Sequence, residues 1–340
     1  MEPASISVSN DGIIKDLTPT NMQYYKSFID KMMSTQRSNA KHKHQIQLHE
    51  EATDCVFSSF SHILNNNTTR KIYPYENHEK RLADLTSLVQ TLNAKQKISF
   101  DIIVKHFTSD DPSHQLGMFL TGEGGTGKSK VIECAIEFSR LYFGRQRGHY
   151  GPGLAVAQTG TASSNIGGFT WQSVTNKNGI NTEMSNETAQ KVGAKIQGLK
   201  FIVIDEISLL SCEDFGAFEE RIKKAILATI STTDILRRQQ VESLPFGGLH
   251  LLICGDFYQL RCVSGVPLYN KSHALTSNNS KVKKGYQVWT QIINQFIELD
   301  ENMRMKNCYY KLVKRLYICR SLRRRYTVSF QRNLVSQHKR

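Results

Sequence analysis

The sequence predicts an α/β fold, a parallel β-sheet flanked by helices with N- and C-terminal extensions, and three observations carry that expectation. Short apolar runs alternate with amphipathic segments between residues 92 and 299; a glycine-rich turn separates one such run from a helical pattern; a second run ends in two adjacent acids. Alternating strand and helix signals are what a parallel sheet covered by crossover helices writes into a chain.

Residues 1–90 read as an N-terminal extension, partly disordered or helical, rich in Ser, Asn, His and Lys. His42, His44 and His49 lack cysteine or carboxylate partners at ligand spacing, so they read as a solvated surface rather than a metal site. Leu82, Leu85, Leu88, Val89 and Leu92 recur at helical spacing and predict a helix over 81–92 leading into the main domain, taken as 91–305. Strands are expected at 117–121, 154–158, 201–205, 249–255 and 296–299. Each chemical motif begins where one of these strands ends, the edge at which open α/β sheets bind ligands.

The 340 residues allow one well-formed core plus appendages, and 39% apolar against 22% charged residues excludes wholesale disorder. No apolar run approaches the roughly 18 residues of a membrane span, so no membrane partner is expected. The first residues, MEPASISVSNDG, lack the features of a secretory or transit peptide; a nuclear location is the expectation, with the mitochondrion as the alternative. Seven scattered cysteines without a C-x-x-C pair read as reduced and structural. A formal charge of +14 favours an anionic partner such as nucleic acid. Seven basic residues and no acid lie between Lys311 and Arg325, in a basic C-terminal tail taken as 306–340, which reads equally as a solvated or nuclear-import segment.

Gly122, Glu123, Gly124, Gly125, Thr126, Gly127, Lys128 and Ser129 fit G-x-x-x-x-G-K-[ST], preceded by the run GMFLT and followed by KVIECAIEFSRLYF. Glycines let successive backbone N–H groups turn inward around a phosphate chain, and a helix N-terminus adds partial positive charge. Lys128 would reach the β- and γ-phosphates of ATP, and Ser129 would ligate Mg2+. The run Phe201-Ile-Val-Ile ends in Asp205 and Glu206. A carboxylate at a buried strand tip is costly without a compensating cation; Asp205 would hold the metal, and Glu206 would orient and deprotonate the attacking water. A third run, 249–256, leads into Gln259, whose amide can donate to the γ-phosphate, although a neutral loop amide would look the same.

Together these residues resemble the Pif-type DNA helicases, superfamily-one motors related to RecD and to the helicases of Helitron transposons. The resemblance runs from Leu92 to about Leu316 through six ordered motifs. It implies a RecA-like P-loop domain and an ATP-dependent DNA helicase stepping 5′ to 3′ on single-stranded DNA and duplex junctions, in DNA repair, recombination and telomere maintenance. LNAKQ is similar to the Q motif, in which Gln96 would read adenine; LDENMR places Arg304 where the family has an arginine facing the γ-phosphate. VAQTGTASSNIGGFTWQSV resembles the family's DNA-contacting segment, so Thr159, Gly160, Ser163 and Asn165 would meet strand phosphates. Phe169 and Trp171 either stack on bases or pack in the core. Gln172 stands where the family has His, and Gln259-Leu260-Arg261-Cys262-Val263 stands where it has QLPPV. After Leu316 the chain stops following the family, so the second RecA-like domain is expected to be missing. The alternative is a truncated, non-motor nucleotide- and DNA-binding fragment of a transposon-derived helicase. A loader ATPase of the AAA type would share the phosphate and acid motifs but not the Q motif or the TG and IGG segment.

Overall fold

The computed structural model describes residues 77–109, 115–177 and 183–303. The basic tail, the His-rich stretch and Arg304 lie outside the described residues.

Six parallel strands form one sheet in the order β3-β2-β4-β5-β1-β6. They are β1 (Gly117–Gly122), β2 (Gly153–Ala157), β3 (Phe169–Thr170), β4 (Phe201–Asp205), β5 (His250–Gly255) and β6 (Gln295–Leu299). Five correspond to the expected runs within two residues; β3 was not expected, because two residues carry no period. The strands are apolar at successive positions because both sheet faces are covered. On one face Phe119, Val156, Ile202, Ile204 and Ile253 join one core cluster. Their neighbours Met118, Leu120, Val203 and Leu252 point the other way, into a second.

The second cluster is roofed by α1 (His78–Gln90), α2 (Ala94–Thr108) and α3 (Lys128–Phe143), through Leu85, Val89, Phe100, Ile103 and Phe138. The first is covered by α6 (Asn186–Lys195), α7 (Cys212–Thr229) and α10 (Ser280–Ile292). On α10 the buried Val282, Tyr286, Trp289 and Ile292 recur every three or four residues, the spacing that puts a single stripe against the sheet. Between them run the short α4 (Gly160–Asn165), α5 (Trp171–Val174) and α9 (Lys271–Thr276), and the exposed α8 (Ile235–Ser243).

The helix expected over 81–92 forms as His78–Gln90, and its Leu85 at 1% and Val89 at 6% exposure are core residues of the second cluster. Among the described residues no helix is long and apolar enough to cross a membrane.

Candidate nucleotide site

Strand register brings the motifs to one edge. Thr121 of β1 lies opposite Gly255 of β5, Ile204 of β4 opposite Ile253, and Ala157 of β2 opposite Asp205. The turns after β1, β2, β4 and β5 therefore leave the sheet side by side, with β5 between the phosphate loop and the acid pair.

The loop after β1 enters α3 through Gly127 in the left-handed conformation, with φ 86°. A Cβ there would lie 2.2 Å from the Gln96 amide nitrogen, so a larger residue fits neither the backbone nor the space. Asn93 and Ser211 cap α2 and α7 with their side chains, whereas α3 starts at Gly127 with no side-chain cap on its first turn. That is the arrangement in which a helix N-terminus receives an anion. Lys128 Nζ donates to the carbonyls of Gly122 and Glu123 at 2.6 and 3.2 Å, which places its ammonium at the loop's mouth. Ser129 is exposed in the first turn.

Across from the loop, burial raises the Asp205 pKa from its ordinary value against the opposing pull of the Glu206 N–H and of Lys128. Glu206 is raised by burial first and by the Asp205 charge second. Its backbone is left-handed, φ 51° and ψ 46°, a costly conformation for a residue with a Cβ, worth of order 1–3 kcal/mol, and one that tends to persist at working sites. The fit is tight, because a Cβ on Gly255 would stand 2.9 Å from the Ile207 nitrogen. Two half-buried carboxyls with raised pKa values, beside a lysine and an exposed serine, are a hard-oxygen donor set of the kind that suits Mg2+.

A third acid belongs here that the sequence reading passed over. Asp256, 5% exposed, accepts from the Tyr258 N–H at 2.9 Å and from the Gln259 amide at 3.4 Å. Burial raises it; Tyr258, Gln259 and Lys128 pull it down. The signal in the sequence is the G-D that ends the third apolar run, three residues before Gln259, which is exposed at the tip of this turn.

Three expectations are corrected. Gln96, fully buried, presents no free edge to an adenine: its carbonyl end accepts from the Asn93 N–H at 3.0 Å and its amide donates to the Thr126 carbonyl at 2.9 Å. Trp171 is fully buried against Phe218, its indole N–H bonded to Gln158 at 2.6 Å, so it packs the core and offers no stacking face to DNA. Ser163 is 4% exposed and turned back to the Gly160 carbonyl at 2.9 Å. Thr159, Gly160 and Asn165 are exposed at the strand-tip edge, and Phe169 is 43% exposed beside Tyr150. Gln172 donates to Gln158 at 3.4 Å while its own carbonyl oxygen is buried without a partner.

The chain is 28% identical over 205 residues to the ATP-dependent DNA helicase PIF1 of Saccharomyces cerevisiae, covering 56% of this chain and 21% of that one. To the Danio rerio PIF1 it is 34% identical over 152 residues, 42% of this chain and 19% of the relative; to the Homo sapiens PIF1, 28% over 209 residues, 58% and 29%. It thus spans less than a third of the length of these relatives. The crystal structure of Pif1 helicase from Candida albicans superposes with a TM-score of 0.43 at 23% identity, covering 63% of this chain and 41% of that one. The model of the PIF1-like helicase family matches residues 91–315, a span that holds the phosphate loop, the acid pair and the Asp256 turn together, and the chain accordingly belongs to the PIF1-like helicases.

Proposed function

We propose that this chain binds ATP with Mg2+, hydrolyses it, and forms the nucleotide-binding part of an ATP-dependent DNA helicase. The observation that carries the reading is the meeting of a left-handed glycine loop, Lys128, the half-buried Asp205 and Glu206 and the buried Asp256 along one sheet edge. Ser129 and Asp205 would hold Mg2+, which when bound neutralises phosphate charge. Lys128 binds the phosphate chain; Glu206 is the base, since a carboxyl raised by burial is a better proton acceptor for water near neutral pH. Asp256 sets the turn from which Gln259 reaches toward the γ-phosphate. The strand-tip surface of Thr159, Gly160 and Asn165, with Phe169 at its margin, would meet single-stranded DNA through hydroxyls, N–H groups and one stacking face.

Movement 5′ to 3′, action at duplex junctions, work in repair, recombination or telomere maintenance, and a nuclear address are part of the same proposal and rest on family membership. Arg304 as a γ-phosphate contact is likewise proposed from the family's pattern. Titration of a fluorescent ATP analogue in Mg2+ tests the core of it. Lys128→Ala removes the loop's cationic side chain and should abolish binding; equal affinity in the two proteins rejects the site.

A further inference from the structure

We propose that Asn302 is a positioning residue of the nucleotide site, holding the outer side of the phosphate loop so that its N–H groups face the phosphate chain. The inference rests on the reading of residues 122–129 as the ATP loop.

A loop built from Gly122, Gly124, Gly125 and Gly127 has little conformational preference of its own. A phosphate cradle needs consecutive N–H groups pointing inward, which turns the carbonyls outward, and each outward carbonyl then needs a donor. The structure supplies one for every carbonyl from 122 to 126. Lys128 serves Gly122 and Glu123. Asn302 Nδ2 donates to Gly124 at 3.0 Å, the Met303 N–H to Gly125 at 2.9 Å, and Gln96 to Thr126 at 2.9 Å. Lys128 is the group expected to turn to the phosphates, so its carbonyl bonds are exchangeable. The other three hold the loop from outside.

The donors at 302 and 303 are themselves anchored. Leu299 pairs with Gly122 at the end of β6, and Asp300 meets Lys95 at 2.7 Å. Glu301 accepts from Asn93 Nδ2 at 2.7 Å, and Asn93 Oδ1 accepts from the Gln96 N–H at 3.0 Å. The exit of β6, the start of α2 and the phosphate loop are thus one hydrogen-bonded unit. Gly124 is its least supported point: it is exposed, and a Cβ there would meet nothing within 4 Å. The Asn302 amide is what orients its peptide.

The test measures, on the full chain, affinity for a fluorescent ATP analogue in Mg2+, affinity for inorganic tripolyphosphate by competition, and thermal unfolding without ligand. Asn302→Ala should weaken both ligands by about 5-fold, the effect of one hydrogen bond of about 1 kcal/mol. Asn302→Asp, the same shape without the donor and with a negative charge, should weaken both further. Both variants should melt within roughly 3 °C of wild type, because the lost bond lies at the surface. Wild-type affinity for both ligands in Asn302→Ala would overturn the inference and leave the proposed function standing. So would a loss of affinity matched by a much larger fall in melting temperature, the mark of a general structural role. Failure of the wild-type chain to bind either ligand would overturn both.

Discussion

Replacing Gln96 by Ala separates two chemistries that its motif cannot tell apart. If Gln96 brings its amide to adenine, the variant should keep its stability and lose preference for ATP over GTP. The structure gives a different outcome. The side chain closes a capping box at the start of α2 and bonds the outward-turned Thr126 carbonyl of the loop, with no exposed surface. Ala would lose the return half of the capping box, the bond from the Asn93 N–H, about 1 kcal/mol, while Asn93 keeps its own bond to the backbone N–H of residue 96. It would also strand a buried carbonyl, about 1–3 kcal/mol. The sum, roughly 2–4 kcal/mol, should lower the melting temperature by about 5–15 °C for a unit of this size. Affinities for ATP and GTP should fall together, because the loop that loosens contacts phosphate, not base. Differential scanning fluorimetry with and without each nucleotide reads both quantities. An unchanged melting temperature with selective loss of ATP affinity would refute the bracing role.

Glu206→Gln keeps the size and left-handed turn of the residue but removes the base, so analogue binding should persist while turnover falls about 100-fold or more; equal turnover rejects the assignment. His250 accepts the Leu116 N–H at 3.0 Å and is held down to about 4 by burial, so it stays neutral in the fold while the unfolded chain protonates near 6.5. Its contribution is complete above that pH and is lost as pH falls from 6.5 toward 4, up to about 3 kcal/mol. Asp205, Glu206 and Asp256, raised by burial, act with the opposite sign, so the histidine is read as the difference between wild type and His250→Asn; identical pH slopes in denaturant melts would contradict it. Single-stranded DNA affinity should show little sequence preference and fall steeply with salt, since a chain of formal charge +14 displaces condensed counterions; a flat salt dependence rejects the electrostatic account. Trp171→Ala should destabilise the fold by about 3–5 kcal/mol as a large core truncation; a folded variant impaired only in DNA binding would restore the indole to the nucleic-acid face.

Sequence alone was sufficient where the physics is local. A glycine at a left-handed position such as Gly127, an apolar run broken by paired acids at Asp205 and Glu206, and leucines at helical spacing from Leu82 to Leu92 are each set by a few consecutive residues, and they located five strands, the phosphate loop and the acid pair. What the tertiary structure decided depends on residues far apart in the chain. Whether Trp171 and Ser163 face water or core follows from what α5 and α4 pack upon, and neither residue differs in type from an exposed one. Helix α1 joins the core because Leu85 and Val89 find α3, some forty residues on. Gln96 became a brace only when α2 was laid against the loop, thirty residues away at Thr126. Asp256 and Asn302 escaped notice for the same reason: one is a common turn acid and the other a common loop amide, and each acquires its role only when β5 and β6 are set on either side of β1. A strand order that interleaves distant segments cannot be read from spacing, because hydrogen bonding between strands leaves no mark on local sequence beyond the apolar run itself.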